Sequence, residues 1–184
     1  MKRGFKSQCE RRAVEVRRAL GLTTVEPLSA FDLAGSLGVI VWRDIDVEGM
    51  TGEDLNQLHV VDPDTWLAFT LRNGTHFLIV YNSSHSPERS NSMVMHELAH
   101  IVLGHELTST QITEDGHLVP VNYDQEQEDE ANWLAGTLLL PRPALIRMRR
   151  LGMPDVDAQK HFQVSPHMLA WRVRMTGINF QIAR

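Results

Sequence analysis

Eleven residues near the middle of the chain constrain it most: Met93-Val94-Met95-His96-Glu97-Leu98-Ala99-His100-Ile101-Val102-Leu103. Ser86-Pro87 ahead of this run supplies an N-cap and a first-turn proline, and Gly104 stands where a helix ends. A helix over this span is apolar nearly all round, so the rest of the fold has to cover it. Burying two imidazoles and a carboxylate without partners is costly. His96 and His100 lie four apart and project from one helical face, where a single cation satisfies both. Glu97, one position on, points beside that cation, where a carboxylate can take a proton from metal-activated water.

A hydrolytic zinc site needs a third protein ligand and an open position. His105 has the wrong spacing for a third-histidine pattern and is expected at the helix end, in solvent. A further helix from Asp124 to Leu140, stopped by Pro141, offers Glu126, Glu128 and Glu130. At about 100° per residue, Ala131, Ala135, Leu138 and Leu139 fall within about 80° of Glu128, whereas Glu126 and Glu130 point more than about 150° away. Glu128 therefore continues the apolar face and is the expected third ligand. Asn132, one turn along, is placed to hold a ligand histidine from behind. Glu126, Asp129 and Glu130 read as an acidic first turn complementing the helix dipole.

Around this pair the pattern is legible in outline. Ser7 and Glu10 read as a capping box opening a first helix with Cys9, Ala13, Val16 and Leu20 on its inner face and Gly21 behind it. Ser29 and Asp32 open a short second helix that Gly38 ends, and Val39 to Trp42 reads as a buried strand. Trp66 to Leu71 and Thr75 to Tyr81 are β-rich runs meeting at Asn73-Gly74, a hairpin signal. The polar stretch from Thr108 to Asp124 reads as a loop with a short strand at His117 to Val121. Three short helical pieces follow Pro141, near 143–151, 155–162 and 166–176.

Composition bounds the class. The 184 residues are 42% hydrophobic and 22% charged, which suits one compact domain, or one with a small appendage. No stretch approaches the ~18 apolar residues of a membrane span, and Met1 to Lys6 leads into a charged helix instead of an apolar signal core. The single cysteine, Cys9, excludes an internal disulfide or a cysteine cluster and fits a reducing cytoplasm. The net charge of −5 hides basic ends: residues 1–18 carry 7 basic and 2 acidic side chains, residues 142–184 carry 8 and 2. Basic ends packed near an acidic centre explain this without nucleic acid.

Three segments together resemble the ImmA/IrrE family of metallopeptidases. They are Tyr81-Asn82 with Arg89 and His96 to His105; Glu128-Asp129-Glu130-Ala131-Asn132-Trp133-Leu134-Ala135 running on to Pro141; and Leu33-Ala34 to Gly38-Val39 upstream. Asn91 to Met95, Leu134 and Leu140 depart from the family's usual residues at positions that concern packing. The resemblance implies zinc (Zn²⁺) held by His96, His100 and Glu128, with Glu97 as catalytic general base. It implies an α+β fold with a zincin-like core, in which a small antiparallel sheet packs on the HExxH helix and the Glu128 helix. A metallopeptidase domain over 1–141 then carries a C-terminal helical subdomain over 142–184. The implied function is a cytoplasmic zinc endopeptidase that cleaves a helix-turn-helix transcriptional repressor, its protein partner, in a phage, mobile-element or stress-response setting.

Phe162 to Pro166, with Leu169 and Arg172, resembles the turn and second helix of a helix-turn-helix. DNA reading by Arg172 and Arg174 is the less favoured role for it. The rival classes are a regulatory protein that keeps the metal structurally and acts by contact alone, and a DNA-binding regulator. Tyr81, Tyr123, His117 and His161 have chemistry suited to oxyanion stabilisation, and spacing prefers none of them.

Overall fold

Helix α1 (Phe5–Ala19) begins at Gly4, which takes a left-handed conformation, and turns Phe5, Cys9, Ala13 and Arg17 inward. The structure is a computed structural model that describes residues 1–64, 66–106, 110–112, 118–120 and 124–182. Because Gly4 opens the helix early, the expected Ser7–Glu10 capping box does not form. Glu10 instead accepts from the backbone N–H of Arg142 at 3.0 Å and pairs with Arg172. Burial pushes the Cys9 thiol up to about 12, so it behaves as a neutral core filler.

Helix α2 (Ala30–Ser36) is capped as expected by Ser29, whose hydroxyl accepts from the N–H groups of Phe31 and Asp32 at 3.2 and 3.3 Å. Strand β1 (Ile40–Arg43), a 3-10 turn, helix α3 (Gly52–Asn56) and a π-helical turn precede a hairpin of β2 (Ala68–Asn73) and β3 (His76–Tyr81). The hairpin is antiparallel, but β1 pairs with β3 in parallel, giving the order β1-β3-β2. The sheet is therefore mixed and not wholly antiparallel, because the excursion between β1 and β2 is long enough to act as a crossover. Nor is β1 a buried strand. As an outer strand it turns Val41 towards the core and leaves Ile40 and Trp42 50% and 44% exposed. The hairpin turn lies one residue later than Asn73-Gly74 suggested: Asn73 pairs with His76, so Gly74 takes the first central position at φ +61.

Two buried polar side chains tie the excursion down. Asp44 accepts from the N–H and hydroxyl of Ser83 at 3.2 and 2.7 Å and contacts Nε2 of His59 at 2.5 Å. Asn82 donates from Nδ2 to the carbonyls of Leu58, Pro63 and Trp66.

Helix α4 (Pro87–Leu103) runs from its Ser86 cap to Gly104 and is buried along most of its length, as its composition required. Asn91 and Ser92 on its first half are hydrogen-bonding hubs. Asn91 accepts from the N–H of Ala30 and donates to the carbonyl of Gln163, both at 2.7 Å, and Ser92 accepts from the N–H of Ser165 at 3.1 Å. Strands β4 (Thr110–Ile112) and β5 (Leu118–Pro120) form an antiparallel pair, the second within the expected strand, whose ends His117 and Val121 lie outside the described residues.

Helix α5 (Gln125–Leu139) packs on α4 along one side and on α1 along another. Helices α6 (Arg142–Arg150), α7 (Asp155–Phe162), α8 (Pro166–Thr176) and α9 (Ile178–Ile182) follow, and they and the α7–α8 turn contribute Ala144, Leu145, Phe162, Val164, Leu169 and Ile178 to the same core. Two fully buried arginines close the C-terminal end of α5. Arg17 donates to the carbonyls of Leu138 and Leu139 at 2.8 and 3.1 Å, and Arg172 to that of Leu140 at 3.0 Å. Burial pushes the Arg17 guanidinium down to about 10, still a cation at neutral pH. Arg172 therefore faces the inside of the protein and has no access to a duplex. Among the described residues no helix is long and apolar enough to cross a membrane.

Gly136 of α5 lets α8 approach: a Cβ there meets the Trp171 ring at 2.7 Å and the Met168 sulfur at 3.2 Å. Gly136→Ala adds helix propensity worth about 1 kcal/mol, but the ring cannot yield cheaply and overpacking costs about 1–3 kcal/mol. The expected outcome is no net gain or a loss of stability in urea unfolding; a clear stabilisation contradicts this packing.

Candidate metal centre

The α4–α5 contact brings the two halves of the expected site together. Asp124 caps α5 by accepting from the N–H of Glu126 at 2.8 Å, which sets the first turn so that Glu128 leans onto α4. Oε2 of Glu128 lies 3.2 Å from Nε2 of His96, and Oε1 lies 3.5 Å from Nε2 of His100. The two Nε2 atoms are 3.1 Å apart. Tetrahedral coordination at 2.0–2.1 Å spaces donors by about 3.3 Å, close to the Nε2–Nε2 and the His96–Glu128 separations, while His100 meets the other carboxylate oxygen. Among the described residues this trio is the one group of histidine, cysteine and acidic side chains close enough to hold a metal ion. The residues present fit a zinc ion.

The electrostatics are those of titratable groups crowded against one another. Hydrogen bonds from His100 and His96 hold the Glu128 carboxyl far below the usual carboxylate range, against the effect of burial. Burial opposes charge on His96, but Glu128, Glu97 and a hydrogen bond with Asn132 outweigh it and push its pKa up. Asn132 thus touches a candidate ligand histidine, as its place on the α5 face suggested.

Glu97 leaves the trio and points towards β2, where the Thr70 hydroxyl donates to its Oε2 at 2.6 Å. Among the described residues this is the hydrogen bond that Glu97 makes through its carboxylate. Nothing in the sequence flagged Thr70, since only the pairing of β2 with β3 under α4 brings it near.

Two expectations next to the site are corrected. His105 is not in solvent: its side chain is 8% exposed, with Nδ1 3.0 Å from Nδ1 of His100. Glu130 is not simply part of an acidic turn, because its Oε2 lies 3.5 Å from Nε2 of His105. Burial and the neighbouring His100 push the His105 pKa down, which favours its neutral imidazole. Glu126 pairs with the N-terminal amine and Asp129 with Gln125, both on the surface. Of the oxyanion candidates, Tyr81 lines a separate cavity of about 540 Å³ with Arg43, His85 and Lys160, and His161 packs against Phe162. Tyr123 and His117 lie outside the described residues.

A mixed sheet, a buried HExxH helix and a second helix delivering a glutamate define an α+β protein of the zincin-like class. The family model described as the IrrE N-terminal-like domain of Peptidase M78 matches residues 53–174, from α3 to the second half of α8. The chain belongs to this family, and its type is the ImmA/IrrE metallopeptidase. No curated protein and no solved structure matches it.

Zinc added to metal-free protein should raise the melting temperature, since a ligand bound by the folded state alone stabilises by mass action. The shift should vanish in His96→Ala and His100→Ala and persist in His161→Ala, measured by differential scanning fluorimetry. An equal shift in all of them places zinc elsewhere.

Proposed function

We propose that the protein is a cytoplasmic zinc-dependent endopeptidase whose substrate is a helix-turn-helix transcriptional repressor. The observation that carries the catalytic part is the convergence of His96, His100 and Glu128 beside a Glu97 whose Oε2 is held by Thr70. Membership of the ImmA/IrrE type supports the substrate class. The single buried cysteine is in keeping with a reducing compartment.

His96, His100 and Glu128 are the residues that would hold the ion. When bound, zinc supplies Lewis acidity towards a scissile carbonyl and lowers the pKa of water towards about 7. Glu97 takes the proton of the attacking water and passes it to the leaving amine, while Thr70 keeps the carboxylate aimed. Asn132 steadies His96. Strand β2 lies at the edge of the sheet and carries Thr70, so an extended substrate added along that edge runs past Glu97.

The burial of Arg172 weighs against DNA reading by α8. It leaves contact-only inactivation as the alternative to be separated from proteolysis. Glu97→Gln makes the separation. We expect it to keep zinc, to bind a helix-turn-helix repressor without cutting it, and to show slowed amide exchange in residues 68–73 of the trapped complex. Wild-type protein should yield cleavage products by mass spectrometry. Full repressor inactivation by Glu97→Gln would establish a binder and overturn the peptidase reading.

A further inference from the structure

His100 has two ring nitrogens, and only Nε2 belongs to the convergent trio. Its Nδ1 faces Nδ1 of His105 at 3.0 Å, and Nε2 of His105 faces Oε2 of Glu130 at 3.5 Å. A chain of contacts therefore runs from Glu130 through His105 to the back of His100. The backbone builds it: Gly104 turns left-handed at the end of α4 (φ +68), and the N–H of His105 returns to the carbonyl of His100 at 3.1 Å. That reversal folds the His105 ring back between α4 and α5, where it and Glu130 are 8% and 17% exposed.

Counting protons leaves one arrangement. A nitrogen that binds a cation offers its lone pair, so His100 carries its proton on Nδ1. That N–H points at Nδ1 of His105, which must then accept. A neutral His105 consequently carries its own proton on Nε2, facing the Glu130 carboxylate. The hydrogen between His100 and His105 then has one donor and one acceptor, the Nε2–H of His105 faces the Glu130 carboxylate 3.5 Å away, and no second tautomer pair suits all three residues.

We propose that His105 and Glu130 are positioning residues that lock His100 in its Nδ1–H tautomer and fix its ring towards the metal. The inference rests on the reading of His100 as a zinc ligand. It extends the familiar carboxylate–histidine–metal arrangement by one imidazole, so that Glu130 acts at a distance from the ion. Glu128 and Glu130, two residues apart on α5, thus serve the same centre from opposite sides of His100.

The test uses zinc alone as probe, with two readouts that need no substrate. Long-range proton–nitrogen NMR of the zinc-loaded wild type should show His100 as Nδ1–H and His105 as Nε2–H. Competition with a chromophoric chelator should show zinc bound about 10–100-fold more weakly in Glu130→Ala and in His105→Ala, the range for loss of a group behind a ligand. The double variant should lose no more than the worse single one, because the two act in series. Glu130→Gln, whose amide oxygen still accepts, should recover most of the affinity.

His105 carrying its proton on Nδ1 in the zinc-loaded wild type would overturn the proposal without any variant having to fold. So would zinc affinity within twofold of wild type in both alanine variants while Glu128→Ala loses the ion. Unchanged affinity in Glu128→Ala as well would instead remove the metal reading, and the proposal with it.

Discussion

The last carbonyls of α5 are gripped by two buried guanidinium groups, and the placement of the metal centre depends on that grip. Arg17 reaches them from α1 and Arg172 from α8, so elements at opposite ends of the sequence meet on one helix terminus. Cations suit that end of a helix, where the carbonyls lack intrahelical partners. Neither charge is idle in the core: Arg172 also pairs with Glu10, and Arg17 donates to the carbonyl of Glu26. Removing either arginine would leave buried α5 carbonyls without their donor, at a cost of about 1–3 kcal/mol for each unmatched group. With its last turn clamped and seated against Trp171 at Gly136, and its start capped by Asp124, α5 is held at both ends. In that setting Glu128 faces α4.

Function follows from what α4 must bury. A helix with so few polar faces forces its histidines against a neighbour, and the neighbour answers with a carboxylate. The resulting donor atoms lie close enough together to hold one metal ion. The same packing turns Glu97 towards the edge strand β2, so the proposed proton-handling group and the proposed binding edge lie together. The C-terminal helices also take part in the core: Ser165 and Gln163 at the α7–α8 turn bond Ser92 and Asn91 on α4.

The sequence made the centre of the site legible because its signals are local or periodic. His96 and His100 follow from spacing on one helix, Glu128 from its phase against Ala131, Ala135 and Leu138, and Ser29, Ser86 and Gly104 from cap chemistry. Contacts between distant segments left no such mark. Glu10 looked like a cap residue and is a tertiary acceptor; Arg172 looked like a surface cation and is buried. Thr70 meets Glu97 only through sheet pairing, and His105 enters the site only because Gly104 reverses the chain. Strand β1 departs from its sequence pattern for a related reason. A run of apolar residues does not reveal whether both faces of a sheet are covered, and here Ile40 and Trp42 lie on the open one.

The most direct test of the account is the metal content of protein purified without chelators or added metal, comparing wild type with Glu128→Ala. About one equivalent of zinc in the wild type, and its depletion in a Glu128→Ala variant that keeps the wild-type circular dichroism, is the predicted result. The same zinc content in both would contradict it, because α5 would then not supply the third ligand to the histidines of α4.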